Sequence, residues 1–123
     1  MRLGTDIIEI ERIRKSIART HFVRRIFTDA ERAYLAKKKD PAPSAAGMFA
    51  AKEAFAKAVG TGFRGFSPGD VSVEHTDAGA PFYRLYGGAA AAAKGWRFTL
   101  SISHCKQYAV ACAAAEKEVD DGE

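Results

Sequence analysis

Apolar and polar residues alternate along residues 2–8, and this period of two predicts a short β-strand. Gly4, Asp6 and Ile8 share one face of that strand, because successive side chains point to opposite sides. Aspartate is depleted in strand interiors. Asp6 is therefore a residue that the strand itself does not explain.

The apolar spacing changes to three and four residues after the strand, which predicts a helix. Its core stripe is formed by Ile10, Ile13 and Ile17. Basic residues repeat at the same spacing on another face, with a further arginine beside them. This basic face consists of Arg12, Lys15 and Arg19, flanked by Arg14.

Two further helices are predicted from their start and stop signals. Residues 28–31 read Thr-Asp-Ala-Glu, a capping-box pattern that starts a second helix, and three lysines at 37–39 suit its end. Pro41 and Pro43 then form a hinge, and a long helix is expected over residues 44–59. Gly60 follows at once and is typical of a helix C-cap.

The second half of the chain favours strands. Residues 71–75 and 81–86 flank a turn and predict a hairpin, and residues 87–95 form a short alanine helix between glycines. Two more strands are expected over 96–104 and 108–115. The order β-α-α-α-β-β-α-β-β indicates an α+β fold, one domain over residues 1–123 with mostly antiparallel pairing, a long buried helix and an acidic tail at about 116–123.

The composition, 47% apolar and 28% charged, is that of a globular protein. No apolar run approaches the roughly 18 residues of a membrane span, and acids at positions 6 and 9 argue against a signal peptide. Two cysteines, Cys105 and Cys112, are too few for a disulfide framework. We therefore expect a cytoplasmic protein without a membrane partner.

The net charge of +4 is unevenly distributed. Six basic residues and no acid lie between Arg12 and Thr28. A surface of one sign attracts an acidic partner, which is a nucleic acid, an anionic lipid or an acidic protein.

Three charges interrupt the apolar run of the long helix: Lys52, Glu53 and Lys57. Glu53 and Lys57 stand one turn apart, so they could form an exposed ion pair worth about 0.3–0.5 kcal/mol. Their other neighbours are alanines and aromatic residues, which favours burial on most sides. Lys52 lies at the edge of the apolar stripe.

By sequence context, Asp6 and Glu53 are the only acids with strongly apolar neighbours. Two carboxylates held together repel each other unless a cation lies between them, and Mg²⁺ is the usual cation shared with substrate phosphates. Phosphate contacts would then come from four parts of the chain. These are Lys52, Lys57, the glycine loop with Gly60 and Gly62, and His104.

Four segments occur in a recognisable order: GTDIIEIERI at the N-terminus, FTDAE at 27–31, FAAKEAFAKAVGTG at 49–62 and LSISH at 100–104. Together they resemble the small bacterial phosphopantetheinyl transferases of the holo-(acyl carrier protein) synthase family. The likeness extends from residue 2 to about residue 114. It implies an enzyme of fatty acid biosynthesis that transfers phosphopantetheine from coenzyme A to a serine of an acyl carrier protein.

The resemblance also implies residue roles. The metal carboxylates fall on Asp6 and Glu53, the lysine that contacts coenzyme A falls on Lys57, and the histidine near the nucleotide falls on His104. Members form trimers with active sites between subunits. Their first helix docks the acidic carrier protein, which matches Arg12, Arg14, Lys15 and Arg19 here.

Two positions depart from the family pattern. Cys105 stands after His104 where many relatives have Thr, Ser or an acid. The lysines at 37–39 lie in a connection of this chain's own, so the resemblance assigns them no role.

The general base of the implied reaction is left open by the sequence. The proton of the incoming serine could pass to Glu53 or to a metal-bound water.

A small basic nucleic-acid-binding module is the main alternative. The basic N-terminal helix supports it. Against it, the aromatic residues are not interleaved with the basic ones, and it leaves Asp6 and Glu53 without a role.

Overall fold

A computed structural model describes residues 1–119, so only the first part of the acidic tail predicted at 116–123 is described. The helices and strands follow the predicted order with one additional helix. In chain order they are β1 (Arg2–Glu9), α1 (Ile10–Ile17), α2 (Thr20–Ile26), α3 (Asp29–Ala36), α4 (Ala42–Val59), β2 (Val71–His75), β3 (Pro81–Leu85), α5 (Gly87–Ala92), β4 (Trp96–His104) and β5 (Tyr108–Lys117). A single 3-10 turn, Pro68–Asp70, precedes β2.

The strands form two antiparallel sheets. One has three strands in the order β1-β5-β4, and the other is the hairpin of β2 and β3. The predicted α+β class with antiparallel pairing is confirmed. Both chain-terminal strands meet in the larger sheet, where Asp6 is in register with Ala111 and Ala111 with Ile102.

The prediction of one helix before residue 28 is wrong, because the chain forms two. Helix α1 ends at Ile17, and Arg19 is the extended residue that precedes α2. Arg12 and Lys15 lie on α1, whereas Arg19 does not. The predicted three-residue basic face therefore contains two residues of one helix and a third in the connection.

Helix α3 begins as predicted, with a complete capping box. The Thr28 side chain accepts from the Glu31 amide, and the Glu31 side chain accepts from the Thr28 amide. It ends at Ala36, before the three lysines. Helix α4 begins two residues earlier than predicted. Pro43 is tolerated in the first turn, because N–H groups there have no partner within the helix and the missing N–H of proline costs no hydrogen bond. The helix ends at Gly60, whose φ of 95° is left-handed as expected of a C-cap.

Helix α4 packs directly on strand β1 at Gly4. A Cβ atom added at Gly4 would lie 2.0 Å from the Ala54 carbonyl oxygen and 2.6 Å from the Ala58 amide nitrogen. Only glycine permits this approach. On other sides the helix contacts the hairpin and β4, and Phe55 packs among Phe66, Tyr83 and Phe98. The long helix is thus buried, as predicted, and it lies between the two sheets.

Candidate active site at the edge of the long helix

Asp6 and Lys57 meet where α4 crosses β1. Two residues after Gly4, the Asp6 side chain is again on the face that carries the helix. The Lys57 ammonium group donates to Oδ1 of Asp6 at 3.2 Å and to the carbonyl oxygen of Thr5 at 2.9 Å. Asp6 is half-buried, whereas 56% of the Lys57 side chain is exposed. The expectation that its neighbours bury Lys57 is wrong, because the helix edge faces outward here.

Glu53 lies one helical turn before Lys57 and is half-buried. Burial raises the pKa of its carboxyl group, the nearby Asp6 carboxylate raises it further, and Lys57 opposes both effects. Because Lys57 contacts Asp6 and Glu53 lies one turn away on the same side of α4, both acids lie at the same edge of the helix. The structure therefore brings together three predicted site residues, one from β1 and two from α4.

The pair of carboxylates suits a hard cation that takes its remaining ligands from elsewhere. Within residues 1–119 no group of three or more His, Cys, Asp or Glu side chains could hold a metal ion. Mg²⁺ is commonly bound through one or two carboxylates together with water and substrate phosphates, so two acids fit it. Zinc would require more nitrogen or sulfur ligands than this edge offers.

Lys52 occupies a different place from the predicted one. Its side chain is 1% exposed, and its ammonium group donates to Oε1 of Glu31 at 2.8 Å and to the carbonyl oxygens of Pro68 and Val71 at 2.9 and 2.5 Å. An ammonium group has three donors, and all three are used. Lys52 is therefore a buried structural cation, and the prediction that it contacts phosphate does not hold in this structure.

Glu31 is the buried acid that the sequence interpretation missed. It is fully buried, which corrects the statement that Asp6 and Glu53 are the only acids in apolar surroundings. Besides Lys52, its carboxylate accepts from the amides of Thr28 and Val73 at 2.8 and 2.7 Å. The capping-box pattern already explained Glu31, so its second role was hidden. A lysine within an apolar run was the available signal that some acid must be buried with it.

The glycine loop after α4 has the conformation expected of a flexible turn. Gly60 and Gly62 have φ values of 95° and 65°, which side chains rarely adopt, and open space surrounds both. Their backbone is exposed close to the end of the helix that carries Lys57. The loop is accessible to a ligand at the same edge.

His104 lies apart from this cluster, at the exposed end of β4. It lines a cavity of about 280 Å³ together with Lys38, Ser44 and Met48. In the cavity wall the rings of Tyr34 and His75 stack 4.3 Å apart. Neither Asp6, Glu53 nor Lys57 lines this cavity.

The distance between the two groups follows from the sheet. Strand β5 separates β1 from β4, so the Cα atoms of Asp6 and Ile102 are roughly 10 Å apart, and His104 lies farther along β4. One copy of the chain therefore presents a carboxylate cluster and a histidine cavity as separate surfaces.

The predicted docking face is exposed but not uniformly basic. Arg12 and Lys15 are exposed on α1. Arg14 instead pairs with Glu11 at 2.9 Å and with Asp40 at 2.6 Å. Arg14 thus has acidic partners within the chain, while Arg12 and Lys15 have no ion-pair partner among the described residues.

The outer face of the three-stranded sheet exposes apolar side chains. Ile7 and Val110 are in register with each other, and they are 64% and 40% exposed. Leu3, on the same face of β1, is 60% exposed. Clustered exposed apolar residues of this kind mark interaction surfaces.

The chain matches the model of the 4′-phosphopantetheinyl transferase superfamily over residues 2–113. It is 50% identical over 117 residues to a holo-(acyl carrier protein) synthase of Caldanaerobacter subterraneus subsp. tengcongensis, covering 92% of each chain. These matches give no support to the nucleic-acid-binding alternative.

Two solved holo-(acyl carrier protein) synthases are similar in structure. The one from Bacillus anthracis, in complex with coenzyme A (3′,5′-ADP), is 38% identical with a TM-score of 0.82, covering 95% of this chain and 96% of that one. The one from Helicobacter pylori, in complex with coenzyme A, is 28% identical with a TM-score of 0.81, covering 93% of this chain and 99% of that one.

Within residues 1–119 no helix has both the length and the apolar character needed to cross a membrane.

Proposed function

Because this chain belongs to the 4′-phosphopantetheinyl transferase superfamily, we propose that it transfers the phosphopantetheine group of coenzyme A to a serine of apo acyl carrier protein. The products are holo carrier protein and adenosine 3′,5′-bisphosphate. The observation that carries this proposal is the alignment with a holo-(acyl carrier protein) synthase over nearly the whole of both chains. Half of the 117 aligned residues are identical.

Asp6 and Glu53 would hold one Mg²⁺ ion, which two neighbouring carboxylates of partly buried character fit. When bound, the ion supplies positive charge that stabilises the developing charge on the diphosphate oxygens.

The protein's own groups contribute positioning and charge, which phosphoryl transfer needs more than covalent help. The serine oxygen attacks the phosphorus next to pantetheine, and the bond from that phosphorus to the bridging oxygen breaks. Lys57 is exposed enough to move from Asp6 to a phosphate oxygen, and the amide of Gly62 in the glycine loop is a further donor nearby. The Gly60 amide already donates to the carbonyl oxygen of Ala56. Glu53 is half-buried at the same edge as Asp6 and is the protein carboxylate placed to accept the serine proton.

We further propose that His104 acts in the active site of a neighbouring copy in a homotrimer. Its cavity contains the imidazole, Lys38 and stacked aromatic rings, which suit the 3′-phosphate and base of a nucleotide. The cavity is separate from Asp6 and Lys57 within one chain. The exposed apolar face around Ile7 and Val110 supplies a surface through which copies could associate.

The carrier protein would dock on the exposed Arg12 and Lys15 of α1, assisted by Arg14 and Arg19. Acidic partners are steered by such charges chiefly through the association rate. Both substrates imply a cytoplasmic enzyme, which also suits two free cysteines.

The test is incubation of the purified protein with apo carrier protein, coenzyme A and Mg²⁺, followed by intact-mass measurement of the carrier. We expect the carrier to gain one phosphopantetheine group at a serine, and no gain when the metal is chelated. A carrier of unchanged mass with several bacterial carrier proteins would refute the proposed function.

A further inference from the structure

The buried pair of Lys52 and Glu31 joins four separate parts of the chain. Lys52 is on α4 and Glu31 on α3, while the other partners of Lys52 are the carbonyl oxygens of Pro68, in the 3-10 turn, and Val71, at the start of β2. Every donor of Lys52 is used, and Glu31 accepts from three groups. Such a fully bonded network fixes geometry more strictly than apolar contact does, because hydrogen bonds depend on direction.

Apart from Met48 and Phe55, the buried face of helix α4 carries no large apolar side chain that resists rotation about its own axis. Of its twelve buried residues, eight are alanine and one is glycine. Alanine side chains interlock less with neighbouring elements than larger side chains do, so the rotation of the helix depends on its few larger and hydrogen-bonded residues. The close approach at Gly4 sets the distance of the helix from β1 but does not by itself prevent rotation.

Lys52 is placed to control that rotation. It points about 160° around the helix from Ala54, the residue that packs on Gly4, so the helix is held from opposite sides. On the hairpin side, the Tyr83 hydroxyl also donates to the carbonyl oxygen of Ala51 at 2.5 Å. Glu53 follows Lys52 directly and lies on the edge between these two sides, next to Asp6.

A small rotation would move Glu53 by a chemically significant distance. A group roughly 6 Å from the helix axis moves about 2 Å when the helix turns by about 20°. Displacements of about 1 Å already cost large factors in rate when groups must be aligned.

We propose that Lys52, held by Glu31, is a positioning residue that sets the rotation of α4 and thereby the separation of the Glu53 and Asp6 carboxylates. The structural part of this inference stands on the geometry alone. Its consequence for metal binding and turnover rests on the proposed function.

Two variants of the full chain test it. The double variant E31Q/K52M removes both buried charges, so that neither is left unpaired. Glu31→Asp keeps both charges but shortens the reach of the acid by one methylene group. The matched control is Glu74→Asp, which shortens a hairpin acid that bonds to Ser72 and Arg84 and not to α4.

The first measurement is the metal-free structure of each variant, by crystallography or NMR. We expect both test variants to remain folded, with α4 rotated by about 10° or more and the distance between the carboxyl carbons of Asp6 and Glu53 changed by more than about 1 Å. The control should superimpose on the parent protein. This measurement is independent of activity, so it separates the inference from the proposed function.

The second measurement is Mn²⁺ affinity in the presence of coenzyme A, followed by electron paramagnetic resonance, together with kcat for carrier modification. We expect both test variants to lose about tenfold or more in each, with the control unchanged within about twofold. Folded test variants with the parental helix rotation would overturn the proposal. So would failure of both to fold at low temperature, because the pair would then be required for the fold as a whole.

Discussion

The ammonium group of Lys57 lies 3.2 Å from the carboxylate of Asp6, the acid proposed to bind metal. The same group also donates to the Thr5 carbonyl oxygen, so the lysine bridges the edge of β1. Because the lysine of this pair is largely exposed to solvent, the pair contributes little to stability, about 0–1 kcal/mol. Lys57 can therefore leave Asp6 at low cost when a cation and a phosphate arrive.

Replacing either carboxylate of the cluster should abolish most activity without unfolding the protein. We expect Asp6→Asn and Glu53→Gln each to lower kcat by about a hundredfold or more and to weaken the dependence on Mg²⁺, because a pre-organised charge is lost. The measurement is kcat against Mg²⁺ concentration, with thermal unfolding in parallel. The control is Glu74→Gln, which replaces an acid that lies on β2 and is not part of the cluster. Near-parental turnover in both test variants would rule out the proposed metal site.

The two lysines of the long helix should behave differently on substitution. Lys57→Ala should raise the KM for coenzyme A by about tenfold, since a charged contact to phosphate is worth roughly 1.5 kcal/mol or more, and leave unfolding unchanged. Lys52→Ala should instead lower the free energy of unfolding by about 3–5 kcal/mol, because Glu31 is left buried and unpaired. Steady-state kinetics and denaturant titration separate the two effects. An unstable Lys57→Ala protein would contradict the assignment.

The cavity that we propose to bind the nucleotide predicts that a substitution at His104 also raises the KM for coenzyme A. Replacement by alanine should raise the KM for coenzyme A, because the imidazole is an exposed donor in the cavity wall. Lys94→Ala, an exposed lysine outside that cavity, is the matched control. Equal KM values for the two variants would exclude His104 from nucleotide binding.

Reversing the charge of Arg12 and Lys15 to Glu should weaken recognition of the carrier protein alone. The KM for carrier protein should rise by about tenfold at low salt and lose most of its salt dependence, because exposed charges act through the association rate. The KM for coenzyme A should stay within about twofold. A charge-matched reversal of Lys94 and Arg97 is the control. Unchanged carrier kinetics would move the docking surface toward the exposed Arg24 and Arg25.

A charge on the apolar face of the larger sheet should dissociate the proposed trimer. We expect Ile7→Glu to give monomers by light scattering while its circular dichroism spectrum stays unchanged, since the side chain is 64% exposed in one chain. The rate of carrier modification should fall in this variant, because the trimer dissociates. Ala90→Glu, on the exposed side of α5, is the control. A parent protein that is monomeric at assay concentration would contradict the proposal directly.

Local signals predicted most of the elements correctly. The alternation in β1, the capping box before α3 and the glycine after α4 are each set by a few adjacent residues, and each was placed within a few positions. The break between α1 and α2 was missed because no proline or glycine marks it. Arg19 adopts an extended backbone there, and the residues after it, Thr20 to Val23, have only low intrinsic helix propensity.

The site was predictable only as far as the resemblance and the apolar context allowed. Both identified the cluster of Asp6, Glu53 and Lys57. The position of Lys52 depends on Glu31, which is 21 residues away and paired through tertiary packing. No local pattern encodes that contact, so a lysine beside a proposed metal ligand was assigned to phosphate.

The separation of Asp6 from the His104 cavity has a genetic consequence if two copies complete each active site. A variant lacking only the Asp6 carboxylate would have little turnover alone, and a variant lacking only the His104 imidazole would bind coenzyme A weakly. Mixed assemblies of the two would contain some junctions where an intact Asp6 from one copy faces an intact His104 from another. Two defective alleles of this one gene would therefore complement each other when expressed in the same cell, and the mixed assemblies would exceed either variant alone in activity at low coenzyme A.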